Sequence, residues 1–234
     1  MTTAIVTIAT IDQLIMTDTQ AEPPRDCSLC PRLVSYREQN AALEPDWFNG
    51  AVSSFGPQTA ELLIVGLAPG RTGANKTGRP FTGDWAGDLL YATLDKFDLS
   101  QGAYAARPDD GLELTRAMIT NAVRCVPPEN KPVGAEINTC RTFLVERLRA
   151  LPNLKAIITL GKISHDSTIR ALGLKISAYP FGHAKSYALE SDALSRPVQL
   201  FSSYHCSRYN TNTGRLTTEM FEDVFGMAKA AIDA

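Results

Sequence analysis

Long hydrophobic runs are missing from this 234-residue sequence: the longest are only a few residues, against the roughly 20 that a membrane-spanning helix needs. Residues 1–19 carry Ile5, Val6, Ile8 and Ile15 but no basic residue, so a secretory signal is not expected and the expected compartment is the cytoplasm. An excess of positive charge is missing too. A net charge of -2 offers no global basic field, so any nucleic-acid surface must be a local patch. There is no internal repeat and no low-complexity segment. Cysteine is sparse, at five, and without an export signal these thiols read as metal ligands or core residues rather than a disulfide framework. What remains is an ordinary globular composition, 44% apolar and 21% charged, in a length that suits one large domain or two small ones.

Four short apolar runs, residues 62–65, 118–123, 156–160 and 198–201, predict buried strands of a parallel sheet, because they lack the polar alternation of a half-solvated strand. Helical spacing separates them. Residues 85–97 follow the first run; in 137–151, Ile137, Cys140, Leu144, Leu148 and Leu151 recur on one face; further helices are expected at 164–172 and 217–231. Strand alternating with helix predicts a three-layer α/β/α sandwich with right-handed crossovers. Residues 173–197, with Tyr179, Phe181, His183 and Tyr187 among Gly, Pro and Ser, read as an extended excursion.

In such folds ligands gather at the carboxyl ends of the strands. Those ends are GLAPGRTGANKTGRPFTGD (66–84), NAVRCVPPENKP (121–132), LGKISHD (160–166) and SYHCSRYNTNTGR (203–215). All four are loops rich in Gly, Asn, Ser and Arg, so they are expected to line one rim, and His205, where the last apolar run ends, stands where a catalytic group would. The cysteines add a second constellation. Cys27 and Cys30 form a C-x2-C pair, Cys125 ends the second strand, and Cys140 lies in the following helix. A strand and its crossover helix can bring these four thiols to one zinc ion or one 4Fe-4S cluster, and spacing alone does not choose between the two.

Taken together, CSLCPRL, GLAPGRTGANKTGRPFTGDWAGDLL, TNAVRCVPPENKP and SYHCSRYNTNTGRLT resemble the iron-sulfur uracil-DNA glycosylases of family 5, the B type, in the family's order and at suitable spacing. The resemblance runs from about Cys27 to the last helix, which leaves residues 1–25 as an N-terminal extension and 26–234 as one domain. It implies a four-stranded parallel sheet between helices, a 4Fe-4S cluster on Cys27, Cys30, Cys125 and Cys140, and excision of deaminated bases from DNA. A monomer with no membrane partner is expected. It also implies roles. Gly66, Leu67 and Ala68 line the base pocket, Phe81 stacks on the uracil, and Asn121 offers its amide as donor and acceptor to the uracil edge. His205 hydrogen-bonds the anion that develops on the departing base.

Some of the site must be argued without a matching motif. Gly66-Leu67-Ala68-Pro69 offers no polar side chain to orient the attacking water, a lack that the family 5 type shares; Asp84 is the expected replacement, with Asp88 its competitor. The apolar first motif resembles members that also accept hypoxanthine and ethenocytosine. Lys162, at an expected helix N-terminus, and Ser207, Arg208 and Tyr209, after the histidine, are expected to meet DNA. Cys206 departs from the family, which usually has proline after the histidine, and this puts in question how rigidly His205 is held. Two other readings compete. A phosphate-binding loop fails because Asn75, not glycine, precedes Lys76. A non-catalytic iron-sulfur module that binds DNA lesions would keep the same motifs but release no base.

Overall fold

The structure, a computed structural model, describes residues 21–234; most of the expected extension, residues 1–25, lies outside the described residues. In chain order the elements are α1 (Pro31–Leu43), β1 (Leu62–Gly66), α2 (Ala74–Thr77), α3 (Trp85–Lys96), β2 (Ser100–Gln101), β3 (Glu113–Leu114), β4 (Ala117–Asn121), α4 (Gly134–Arg149), β5 (Ala156–Leu160), α5 (Lys162–Ala171), β6 (Ser186–Leu189), β7 (Val198–Ser203), α6 (Arg208–Asn212) and α7 (Thr218–Asp233). The four strands expected from apolar runs form the parallel centre of one sheet ordered β4-β1-β5-β7-β6. Register pairs Gly66 with Asn121 and Leu160 with Ser203, so the loops that follow β1, β4, β5 and β7 open at one rim.

Burial explains why those strands read as continuous apolar runs. In β1, Leu62 and Ile64 face one layer, which packs on Leu90, Leu94, Phe221, Val224 and Phe225 of α3 and α7. Leu63 and Val65 face the other, with Leu144 and Leu148 of α4 and Ile169 of α5. Both faces are dry, and fully burying a side chain such as Phe221 or Phe225 stabilises the fold by roughly 1.5–3 kcal/mol. The three-layer expectation therefore holds.

The sheet differs from the expected four strands by one. Within the excursion at 173–197, Ser186–Leu189 pairs antiparallel with β7 as an edge strand. Its SYAL sequence is buried at Leu189 alone, and a strand that packs on one side has no continuous apolar run to betray it. Helix α1 was likewise not legible, since Leu33 is its only fully packed hydrophobic residue; its other buried groups are Arg37 and Asn40. Ahead of it, Ala21 is buried and Glu22 bonds Arg124 at 2.9 Å and Arg147 at 2.6 Å, so residues 21–25 pack on the domain. No helix among the described residues is long and apolar enough to cross a membrane.

Candidate active site

Gly66, the last residue of β1, leaves room for the two side chains that pack over it. A Cβ there would lie 2.4 Å from Asn121 Oδ1 and 2.7 Å from the Phe81 ring, so any other residue would displace one or both. Asn121, the last residue of β4, is 2% exposed, and its Oδ1 is buried without a hydrogen-bond partner. An orphaned oxygen of this kind costs about 1–3 kcal/mol, which makes it a candidate to accept a hydrogen bond from a bound ligand. Phe81 beside it holds φ at +53°, a left-handed backbone that costs a non-glycine residue roughly 1–2 kcal/mol.

What holds Phe81 in that conformation lies underneath. Arg79, 6% exposed, makes two bonds to Asp110 at 2.7 and 2.8 Å and a third to Thr82 Oγ1 at 2.7 Å. The pair holds the Asp110 carboxyl well below the usual carboxylate range. Tyr91 donates to the Pro80 carbonyl at 2.7 Å and Tyr104 to the Phe81 carbonyl at 3.3 Å. Sequence reasoning missed this support, because Asp110 comes from the β2–β3 connection and no motif spacing links it to Arg79.

His205 leaves the end of β7 and lays its ring against Phe81, centroids 5.9 Å apart and planes 25° from parallel. Burial pushes its imidazole down to about 4, so the ring is neutral at physiological pH and carries one N–H. Neither ring nitrogen has a hydrogen-bond partner among the described residues. Asp84 is the N-cap of α3, its Oδ1 accepting from Gly87 N at 3.2 Å. Gly73 and Gly70 wrap its other oxygen: a Cβ would stand 2.4 Å and 3.0 Å from Oδ2. Burial, the largest effect, holds this carboxyl above the usual range, against the amides of Gly87 and Ala86.

These groups line one cavity of about 370 Å³. Leu67, Ala68, Pro69 and Phe81 make its apolar wall; Asn121, Asp84, His205, Ser207 and Arg208 supply its polar groups. Of the expected site residues, the structure thus brings together Leu67, Ala68, Phe81, Asp84, Asn121, His205, Ser207 and Arg208, with Gly66 directly behind. Asp88 faces a neighbouring outer recess instead. Lys162 begins α5 outside the cavity, its ammonium paired with Asp166; Tyr209 is 72% exposed on α6. Trp85 and Asn130 are among the lining residues that were not foreseen. Trp85 stood next to Asp84 in a quoted motif, and Asn130 adopts φ +56° in the PPENKP turn, signals that periodicity does not register.

The four expected cysteines meet on the far side of the same loop. Cys27, Cys30, Cys125 and Cys140 line one small recess with Leu33, Arg124 and Phe143, and Ala68 packs on this cluster as well as on the cavity. Arg37 donates to Cys125 Sγ at 3.3 Å and the Arg124 amide to Cys140 Sγ at 3.2 Å. Burial raises the Cys125 thiol to about 12 and the Cys140 thiol to about 11. Among the described residues no three His, Cys, Asp or Glu side chains converge as a single-ion site. The fifth cysteine, Cys206, is fully buried away from this group, against Ala86.

Comparison with known proteins agrees with this geometry. Residues 53–228 match the family described as the Uracil DNA glycosylase superfamily. The chain is 42% identical to a type-5 uracil-DNA glycosylase of Thermus thermophilus, over 87% of this chain and 92% of that protein. It is 36% identical to the type-5 protein of Pyrobaculum aerophilum, over 89% of each, and 31% identical to a type-4 uracil-DNA glycosylase of Sulfurisphaera tokodaii over 76% of this chain and 74% of that one. Matches of this extent cover the cavity loops as well as the sheet, and the chain belongs to the uracil-DNA glycosylase superfamily, in its type-5 branch.

Proposed function

We propose that the cavity receives a uracil turned out of DNA and that this protein hydrolyses its N-glycosidic bond, leaving an abasic site. The observation that carries this reading is Asn121, whose buried amide oxygen has no partner among the described residues, in the lining of a cavity whose wall is Phe81. A base within a duplex cannot be reached, so its lost stacking must be replaced, and an aromatic face returns roughly 1–3 kcal/mol of it. Asn121 presents an acceptor to the uracil N3–H and a donor to the neighbouring carbonyl. As the bond breaks, the base becomes an anion and the sugar a cation. The neutral His205 ring donates its N–H to the uracil carbonyl, and no proton need be lost from it first. Asp84 orients the water that captures the sugar.

A non-catalytic lesion binder is not favoured, since the relatives that cover most of this chain are named as glycosylases. The test is release of free base from uracil-containing oligonucleotides, read as strand breaks after alkali. Undamaged strands serve as the control and a hypoxanthine strand measures the breadth of substrates. No breaks on the uracil strand would overturn the reading.

A 4Fe-4S cluster on Cys27, Cys30, Cys125 and Cys140 belongs to the same proposal. The donor set is all thiolate, two N–H groups already point at its sulfurs, and the thiols surround a recess rather than converge as the ~2.3 Å bonds of one zinc ion require. When bound, the cluster supplies a cross-link between the segment before α1, the exit of β4 and α4. Cys125→Ser is expected to lose iron and most of the soluble yield, because binding is coupled to folding. Cys206→Ser is expected to keep both. Iron and sulfide analysis of anaerobically purified protein checks this, and stoichiometric zinc without iron would count against it.

A further inference from the structure

Cys206 raises a mechanical question. A residue that follows a strand end has backbone freedom, and His205 is useful only if its N–H points at one place in the cavity. Proline at 206 would restrict that freedom; cysteine does not. Its thiol is buried in the core with the Ala86 carbonyl 3.5 Å away, a weak S–H donor contact that anchors the side chain without fixing the backbone angle.

Other contacts occupy the gap. Asn210 reaches back from α6, its Nδ2 donating to the His205 carbonyl at 2.8 Å. The short helix that carries Asn210 is capped by Ser207, whose hydroxyl accepts from the Asn210 amide at 3.5 Å. Trp85 then fastens this helix to the rest of the fold: its indole Nε1 donates to Thr211 Oγ1 at 2.9 Å, and the Arg208 guanidinium lies 5.2 Å over its ring. Trp85 is 45% exposed, so burial of its own surface does not explain its position. It is also the first residue of α3, directly after the cap Asp84. One helix start therefore anchors both the Asp84 carboxyl and, through α6, the His205 backbone.

We infer that Asn210, Thr211 and Trp85 form a latch that positions His205 across the cavity from Asp84, in place of the stiffness a proline at 206 would bring. This rests on the proposed glycosylase reaction, in which His205 must meet a developing anion. Asn210 and Thr211 do not line the cavity, so they are positioning residues, and their loss is expected in the chemical step rather than in DNA affinity. A misplacement of about 1 Å is enough to cost up to 10²-fold in rate.

The test uses the full-length protein with its cluster. In Asn210→Ala and in Thr211→Val, which keeps shape and removes the hydroxyl acceptor, the single-turnover rate on a uracil strand is expected to fall about tenfold while Kd stays within about twofold. Adding Cys206→Pro to Asn210→Ala is expected to recover most of the rate; the Cys206 amide makes no backbone bond that proline would break. A purely structural role would not show that rescue. Amide hydrogen exchange gives a readout independent of activity. Thr211 and Thr213, bonded to the carbonyls of Ser207 and Tyr209 at 3.1 Å, are expected to exchange faster in Asn210→Ala than in the parent. Unchanged exchange, unchanged rates, or a loss confined to Kd would overturn the latch. A parent protein that releases no base would overturn the proposed reaction instead, while the exchange comparison would still decide the latch.

Discussion

His205→Ala is expected to lower the single-turnover release of uracil by about 10²–10³-fold, the usual cost of removing one donor to a developing oxyanion. Asp84→Ala is expected to cost less. The reason lies in the order of events: the leaving base needs its charge stabilised before the bond has broken, whereas a loosely bonded sugar cation is captured readily once formed, so general-base help shrinks. The same pair governs the pH profile. His205 is held down to about 4 by burial, so its N–H, and not an imidazolium, is present at all pH values above that. Asp84 is shifted the other way, above the usual carboxylate range, and in the role proposed for it a carboxyl orients water only when ionised. The acid limb of the rate should therefore follow Asp84, with the rate falling as pH drops through its raised pKa, and Asp84→Asn should flatten that limb. An Asp84→Ala defect much larger than that of His205→Ala would mean that water attack controls the barrier.

Asn121→Asp is expected to abolish most uracil excision, by about 10⁴-fold, the scale on which a site built around hydrogen bonds rejects a mismatched partner. A carboxylate there is acceptor-only and faces the uracil carbonyl that the amide should donate to. It would also be a charge at a position 2% exposed, so a loss of folding must be told apart from a loss of recognition. Asn121→Ala makes that distinction. It removes the orphaned oxygen, which stabilises nothing in the free protein, so thermal stability is expected to hold while excision falls. Paired melting curves and single-turnover rates measure the two effects. Intact uracil release in either variant would put base recognition elsewhere in the cavity.

The legible parts of this protein were those written locally. Four apolar runs marked four parallel strands because both faces of each are buried apart from Gln199 of β7, and the helices at 85–97 and 137–151 showed their buried stripe directly. The edge strand Ser186–Leu189 and helix α1 were not legible, because one packs on a single side and the other is held through Arg37 and Asn40 rather than through an apolar face. Among the residues that line the cavity, those in dense motifs, such as Phe81, Asn121 and His205, were expected there. Trp85, Asn130 and the Arg79–Asp110 pair were not, since their roles depend on partners far along the chain.

By itself the sequence determined the layered fold, the rim at which the loops gather, the four thiols and the residue types of the cavity, since periodicity and motif spacing are properties of neighbours along the chain. Tertiary structure alone decided that Asp84 rather than Asp88 faces the cavity, that the Asn121 oxygen is left without a partner, and that the His205 ring is desolvated enough to stay neutral. It also set the Asn210 side chain of α6 against the His205 carbonyl, at 2.8 Å. Each of those depends on which groups from distant segments exclude water from one another, and desolvation is a property of the packed whole that no stretch of residues carries alone.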